Sequence, residues 1–177
     1  MGEIGEVETL EKKVALIPRV IMKGAMGPKE YALLLTDQRL IFVLEHASKA
    51  AIVGALGDAL LSDRKAVDYE SEDPDKLAAD TSNIVIPHSG VKSIGIAKGF
   101  SSYTMSTMYT LLVDGADLDG KSKKIKAFLQ PSQALVKAKK DDGMNRKTAT
   151  EDYAKLVRGA LEKSLPPRLL QTGEWNI

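Results

Sequence analysis

The clearest local signal in the chain is YALLLTDQRLIFVLE, from Tyr31 to Glu45. It contains two apolar runs, Tyr31 to Leu35 and Leu40 to Leu44, and between them a short polar break that includes Asp37. Two apolar runs around a break of this length are typical of a β-hairpin, and Asp favours a tight turn because its side chain bonds nearby backbone groups. The stretch therefore predicts a pair of antiparallel strands.

Strand patterns continue on both sides of this hairpin. Upstream, Val14 to Gly24 is rich in β-branched residues, and Pro18 within it indicates an edge position or a bulge because proline has no backbone N–H to donate. Downstream, apolar and polar residues alternate in short runs that turn-forming residues separate. These runs predict further strands at Ile84 to Ile86, Val91 to Ile96, Met108 to Gly115 and Lys123 to Gln130. The total is seven strands.

An insertion follows the hairpin. From Ala47 to Leu61, apolar residues recur at helical spacing, which predicts a helix rich in small residues. This run is shorter than the roughly 20 apolar residues that span a bilayer, and it contains Lys49 and Asp58, so we reject a transmembrane segment. The acidic segment from Ser62 to Asp80 lacks the ligand spacing of a calcium loop, and we interpret it as a solvated loop.

The C-terminal region predicts one amphipathic helix. Thr148 and Glu151 have the spacing of a capping box, and Pro166 and Pro167 stop the helix after Leu165. Its apolar stripe comprises Tyr153, Leu156, Val157, Ala160, Leu161 and Leu165. A helix with such a stripe must pack on an apolar surface, which the strands supply.

Composition restricts the classes of function. The chain has 177 residues, and its hydrophobic and charged fractions are ordinary for one globular domain. The absence of cysteine excludes disulfides, thiolate metal sites and cysteine nucleophiles. Met1 to Lys13 is an acidic leader without the features of a secretory signal, so we expect a soluble, cytoplasmic protein. Because the formal net charge is only +1, an anionic partner requires a local basic patch, and nucleic acid is not an expected partner.

The order of elements and two local stretches resemble the pleckstrin-homology-like (PH-like) superfamily. YALLLTDQRLIFV resembles the hairpin of its GRAM and prokaryotic branch, and NIVIPHSGVKSIGI resembles the strand pair that follows. The resemblance implies a mostly β fold with helices, in which a seven-stranded antiparallel barrel or sandwich is closed by a C-terminal helix. It implies a domain from Val14 to Leu165, an insertion from Ala47 to Ser82 between the third and fourth strands, and a tail from Pro166 to Ile177. Lys23 to Lys29 lacks the basic cluster of phosphoinositide-binding members, so phosphoinositide recognition is not implied.

One loop matches a nucleotide-binding motif. Gly115 to Ser122 has the P-loop pattern, in which backbone N–H groups at the start of a helix hold phosphates. The residues after Ser122 alternate like a strand, and Asp117 and Asp119 carry the same sign of charge as a phosphate. We therefore interpret the match as a hairpin loop and keep nucleotide binding through Lys121 as a minor alternative.

No pattern predicts catalysis. His46 and His88 are the only histidines, which is too few for a zinc site in a chain without cysteine. Ser89 lacks the flanking glycines of a nucleophile elbow. We expect no catalytic residue, no metal and no cofactor.

The clearest candidate surface is basic. Its members, offset by only two aspartates, are Lys121, Lys123, Lys124, Lys126, Lys137, Lys139, Lys140, Arg146 and Lys147. Such a run either binds anionic lipid headgroups or simply forms a solvent-exposed charged face. The second case is the commoner one.

Partner contacts are the other possibility. Glycines in the inserted helix allow a second chain to approach closely, and the single tryptophan either anchors an interface or packs on its own domain. The candidate contact residues are Ile52, Gly54, Leu56, Gly57 and Trp175. We expect a non-enzymatic binding or scaffolding module whose ligand is a protein partner, a second copy or an anionic surface. Peripheral membrane binding through residues 121–147 is the alternative.

Overall fold

The computed structural model describes residues 11–25, 27–47, 68–101, 106–131, 136–137, 141, 146–171 and 173–177. Within them the chain forms seven strands, as predicted: β1 (Lys13–Gly24), β2 (Gly27–Thr36), β3 (Arg39–Ala47), β4 (Ile84–Pro87), β5 (Val91–Ser101), β6 (Ser106–Ala116) and β7 (Ser122–Leu129). The helices are α1 (Pro74–Ala79), α2 (Arg146–Ser164) and α3 (Pro167–Leu170), with a 3-10 turn at His88–Gly90. The predicted inserted helix lies outside the described residues, except for Ala47 at the end of β3.

The strands form one antiparallel sheet in the order β4-β3-β2-β1-β7-β6-β5, so the mostly β architecture is confirmed. The closed barrel that the resemblance implied is wrong, because the end strands β4 and β5 are not paired with each other in the described chain. The C-terminal tail occupies the outer edge of β5 instead. The Ile96 N–H donates to the Glu174 carbonyl at 2.9 Å, and the Asn176 N–H donates to the Ile96 carbonyl at 3.0 Å.

The two halves of the sheet share one hydrophobic core. Residues from all seven strands, from α2 and from α3 contribute to it. The β2–β3 hairpin is buried on both faces: Leu33 and Phe42 belong to this main core, whereas Leu34, Ile41 and Val43 form a second cluster on the opposite face. Burial on both faces explains why the hairpin sequence shows continuous apolar runs and no alternation.

The interpretation of Ser62 to Asp80 as a solvated loop is wrong for its described part, which begins at Asp68. This part contains α1, and Leu77 of that helix is buried in the second cluster. Tyr69 also packs there, and its hydroxyl donates to the Glu45 carboxylate at 3.0 Å. A few apolar side chains among many charged ones are thus enough to hold the segment on the outer face of β3.

The bulge predicted from Pro18 is present in β1. The register with β2 shifts between Ile17 and Val20, and Arg19 between them has a φ of 58°, which is uncommon for a residue other than glycine. The Tyr153 hydroxyl of α2 donates to the Pro18 carbonyl, and burial raises the pKa of Tyr153 to about 12 against the opposing effect of Arg19. The bulge therefore gives α2 a polar anchor on the sheet.

Helix α2 packs across β1, β2, β6 and β7, as its amphipathic pattern predicts. Two details of the prediction are wrong. The helix already includes Arg146, and Glu151 does not act in a capping box but pairs with Lys155 at 2.9 Å. Leu156 is 64% exposed, because the buried arc runs through Tyr153, Val157 and Ala154 and, at about 100° per residue, leaves position 156 outside it.

Candidate functional site

An opening between β1 and β7 brings several predicted lysines together. The two strands pair only from Val20 to Met22 of β1, opposite Leu129 to Ala127 of β7. Beyond Met22, β1 continues with β2 toward Gly24, whereas Ser122 to Lys126 of β7 pairs only with β6. The divergence leaves a cavity of about 430 Å³, called here the β1–β7 cleft. Four lysines, Thr110 and four apolar residues line it; the lysines (Lys23, Lys123, Lys124 and Lys126) are called here the rim, and Met22, Ile84 and Ile125 the floor, with Thr110 and Phe128 beside them.

The alternation of β7 separates Lys124 and Lys126 from Ile125, whereas Lys123 lies on the same face of the strand as Ile125. Ile125, Ala127 and Leu129 are buried in the main core, so the intervening Lys124 and Lys126 point to the outer face and are exposed. Ile125 lies where the core reaches the cleft. Because β1 separates from β7 beyond Ala127, the side of Ser122 to Lys126 that faces away from β6 is an edge lined with lysine, a composition that also discourages edge-to-edge aggregation.

The rim carries more positive charge than its neighbours neutralise. Lys123 pairs with Asp117 at 3.2 Å, and Lys124 lies 3.9 Å from Asp114. In the described part of the chain, Lys23 and Lys126 form no ion pair. Exposed pairs such as Lys124 with Asp114 contribute about 0–1 kcal/mol, so they leave the lysines available to another anion.

A second cavity, of about 370 Å³, adjoins the cleft at Ile84 and Lys123. It lies between the β6–β7 loop and the segment that follows α1, and it combines carboxylates with lysines. Its charged residues are Asp80, Asp117, Asp119, Lys121 and Lys123. Because both signs are present, this cavity is a poorer anion site than the β1–β7 cleft.

The P-loop-like stretch is a hairpin loop, as its sequence pattern predicted. The Asp117 carboxylate accepts the N–H of Asp119 at 3.1 Å and that of Lys121 at 2.8 Å, and the Gly120 N–H donates to the Asp117 carbonyl. Partial burial opposes ionisation of Asp117, but these bonds and Lys123 outweigh it and hold the pKa of the carboxyl below its usual range. The donors that would hold a phosphate are therefore already used, and strand β7 follows in place of a helix.

The structure gathers only part of the predicted basic region. Lys121, Lys123 and Lys124 lie near one another with Lys126, whereas Lys137 is exposed, has helical backbone and lines neither cavity. Lys139 and Lys140 lie outside the described residues, and for Arg146 and Lys147 only the backbone at the start of α2 is described. Lys23 was not among the predicted basic residues, although a lysine next to the last residue of the first predicted strand was visible in the sequence.

Of the candidate partner contacts, only Trp175 is described; Ile52, Gly54, Leu56 and Gly57 lie outside the described residues. Trp175 packs against the main core of its own domain. Its indole N–H donates to the Leu170 carbonyl at 2.8 Å, and the Arg158 guanidinium lies 5.5 Å from the ring centre. The intramolecular alternative that the sequence left open is therefore the observed one.

The polar residues of the β2–β3 turn serve the fold. The Thr36 hydroxyl accepts the N–H of Gln38 at 3.2 Å and that of Arg39 at 2.9 Å, which closes the turn. The Arg39 guanidinium then binds the Glu11 carboxylate at 2.9 Å and also contacts Asp75 of α1. The Thr-Asp-x-Arg element thus connects the chain before β1, the hairpin and α1.

His88 lies beside this turn. Its backbone N–H donates to the Gln38 carbonyl at 2.8 Å, and its side chain is buried. Burial lowers the pKa of His88, although Asp37 and Glu11 act in the opposite direction. A buried, neutral histidine behind a turn fits a structural role.

Among the described residues, no cluster of three or more histidine or acidic side chains is placed to hold a metal ion. No described helix combines the length and the apolar character needed to cross a bilayer. No protein-family model, curated protein or solved structure matches the chain.

Proposed function

We propose that the chain is a non-enzymatic, PH-like binding module that attaches to an anionic membrane surface through the rim of the β1–β7 cleft. The observation that carries the proposal is that Lys23 of β1 and three lysines of β7 surround one opening. The strand order, the C-terminal helix across the sheet and the resemblance of two stretches support the PH-like part of the proposal.

The rim accounts for a weak and reversible attachment. A lysine near an anionic membrane contributes about 1 kcal/mol, so four lysines contribute about 4 kcal/mol. That free energy corresponds to a dissociation constant of about 1 mM, and salt should weaken it further. Such a module requires a second weak contact, or several copies on one surface, for stable recruitment.

The test is vesicle flotation with the intact protein. Phosphatidylcholine vesicles that contain phosphatidylserine should retain the protein, whereas pure phosphatidylcholine should not. Raising the ionic strength from about 0.1 M to about 1 M shortens the Debye length from about 10 Å to about 3 Å and should release it. The double variant Lys23→Gln/Lys126→Gln should lose about 2 kcal/mol, or roughly thirtyfold in partitioning.

A matched control removes two lysines outside the cleft. Lys12 and Lys163 are both exposed, and Lys12 precedes the end of β1 that lies opposite Lys23. The double variant Lys12→Gln/Lys163→Gln changes the net charge by the same amount and should retain most of the binding to phosphatidylserine vesicles. Equal losses in the two double variants would mean that overall charge, and not the cleft, attracts the protein. Binding that ignores lipid charge and salt would end the proposal.

A further inference from the structure

We infer that the β1–β7 cleft takes an anionic amphiphile, whose charged head lies on the lysine rim and whose alkyl segment covers the floor. The inference rests on the proposed function, because it specifies the ligand of the same cleft. It adds a prediction that surface attraction alone does not make: affinity should depend on the apolar part of the ligand.

The floor of the cleft is apolar. Ile125 is 7% exposed and belongs to the main core, and Met22 and Ile84 pack against that core while remaining partly exposed. They line the opening because β1 leaves β7 after Met22, so no strand covers this end of the core. Covering such carbon atoms with an alkyl chain is favourable, whereas a purely polar anion leaves them in contact with water.

The dimensions and the mixed lining suit a small ligand. Binding sites for small molecules commonly have volumes of about 300–1,000 Å³, with a mainly apolar lining and a few polar groups that fix orientation. The cleft, at about 430 Å³, is lined by four apolar residues (Met22, Ile84, Ile125 and Phe128), by Thr110 and by four lysines. The chemistry of the lining therefore matches a molecule with one anionic end and one apolar end.

The charges around the cleft orient this ligand. Lys23 and Lys126 are exposed and, among the described residues, without ion-pair partners, so they attract the head most directly. Lys123 is half-buried at the border with the second cavity, where Asp117 already binds it. Because Asp117 and Asp119 line that second cavity, the anionic head should lie on the Lys126 side of the opening.

The test is a chain-length series with the intact wild-type protein. Inorganic phosphate, butyl phosphate and hexyl phosphate, all below micelle-forming concentrations, are titrated into isotope-labelled protein, and amide chemical shifts of β1 and β7 are followed. Each fully buried methylene should tighten binding about fourfold, so hexyl phosphate should bind about fifteenfold more tightly than butyl phosphate. Hexylammonium, which has the same chain and the opposite charge, should not bind.

The outcomes separate this inference from the proposed function. Equal affinity for the three phosphates would overturn the amphiphile while leaving an anionic site. If none of the three phosphates bound, the inference would also be overturned. Vesicle flotation would then test the proposed function independently. If hexylammonium bound as tightly as hexyl phosphate, the lysine rim would not discriminate between ligands by charge. That result would overturn the inference as well.

Two substitutions locate the parts of the ligand. Lys126→Gln should weaken all three phosphates by about fivefold, whereas Lys163→Gln should not. Met22→Gln, which nearly preserves side-chain length, should reduce the gain from butyl to hexyl phosphate and leave inorganic phosphate unchanged. If Met22→Gln does not fold, the chain-length series with the wild-type protein still tests whether affinity depends on the alkyl segment.

Discussion

Replacing Gly95 of β5 with alanine should detach the C-terminal tail from the edge of the sheet. A Cβ atom at Gly95 would lie 2.4 Å from the Glu174 carbonyl oxygen, and a Cβ atom at Gly173 would lie 1.6 Å from the Ile94 carbonyl oxygen. Both distances are far below van der Waals contact and both involve backbone atoms, so no side-chain rotation relieves them. The tail must therefore move when either glycine is substituted.

The expected cost follows from the bonds that the tail makes with β5. Ile96 exchanges two backbone hydrogen bonds with the tail, at 2.9 and 3.0 Å. A hydrogen bond contributes about 1 kcal/mol net, so loss of the two bonds with β5, with Trp175 still packed on the core, should lower the free energy of unfolding by about 2 kcal/mol. For a chain of this size, that loss lowers the melting temperature by about 4–8 °C.

The Gly95→Ala/Gly173→Ala double variant tests the mechanism. Because each substitution releases the same tail, the double variant should also lose about 2 kcal/mol and not about 4 kcal/mol, as measured by urea denaturation. Gly99→Ala is the matched control in the same strand, since nothing lies within 4 Å of a Cβ there. It should be neutral or stabilising by about 0.5–1 kcal/mol. Additive losses would show that the two substitutions do not act by releasing the same tail.

Two further predictions concern the titration of His88 and the orientation of α2. Because burial lowers the pKa of His88, the unfolded state takes up the proton more readily; stability should therefore be complete above about pH 6.5 and decline below it. Urea denaturation across this range should show a weaker decline for His88→Gln, and parallel curves would exclude the contribution of His88. On α2, Leu156→Ala should change stability by less than about 0.5 kcal/mol, whereas Leu161→Ala should cost about 2–5 kcal/mol. Equal costs in the same assay would contradict the orientation of the helix.

Local pattern was sufficient for most of the secondary structure. The two apolar runs around Asp37 became β2 and β3, and Pro18 marked the bulge in β1. Where the prediction failed, the pattern was ambiguous: Leu156 fits an apolar stripe at helical spacing, yet the sheet covers a slightly different arc of α2. Tyr69 and Leu77 were hidden among acidic residues, because two apolar side chains create no period.

The candidate site required more than pattern. The alternation of β7 by itself determined that Lys124 and Lys126 share the outer face, since successive side chains in a strand point to opposite sides. The sequence did not show that Lys23 joins them, because β1 and β7 meet only through a pairing between the two ends of the domain.

Local pattern was therefore enough to predict the strands, their number and the alternating faces of β7, because the period of apolar residues is a local property. Tertiary structure decided where β1 separates from β7, which lysines surround the resulting cleft, and that the tail from Glu174 to Asn176 occupies the edge of β5. These features depend on contacts between segments distant in the chain, whose geometry no local pattern specifies.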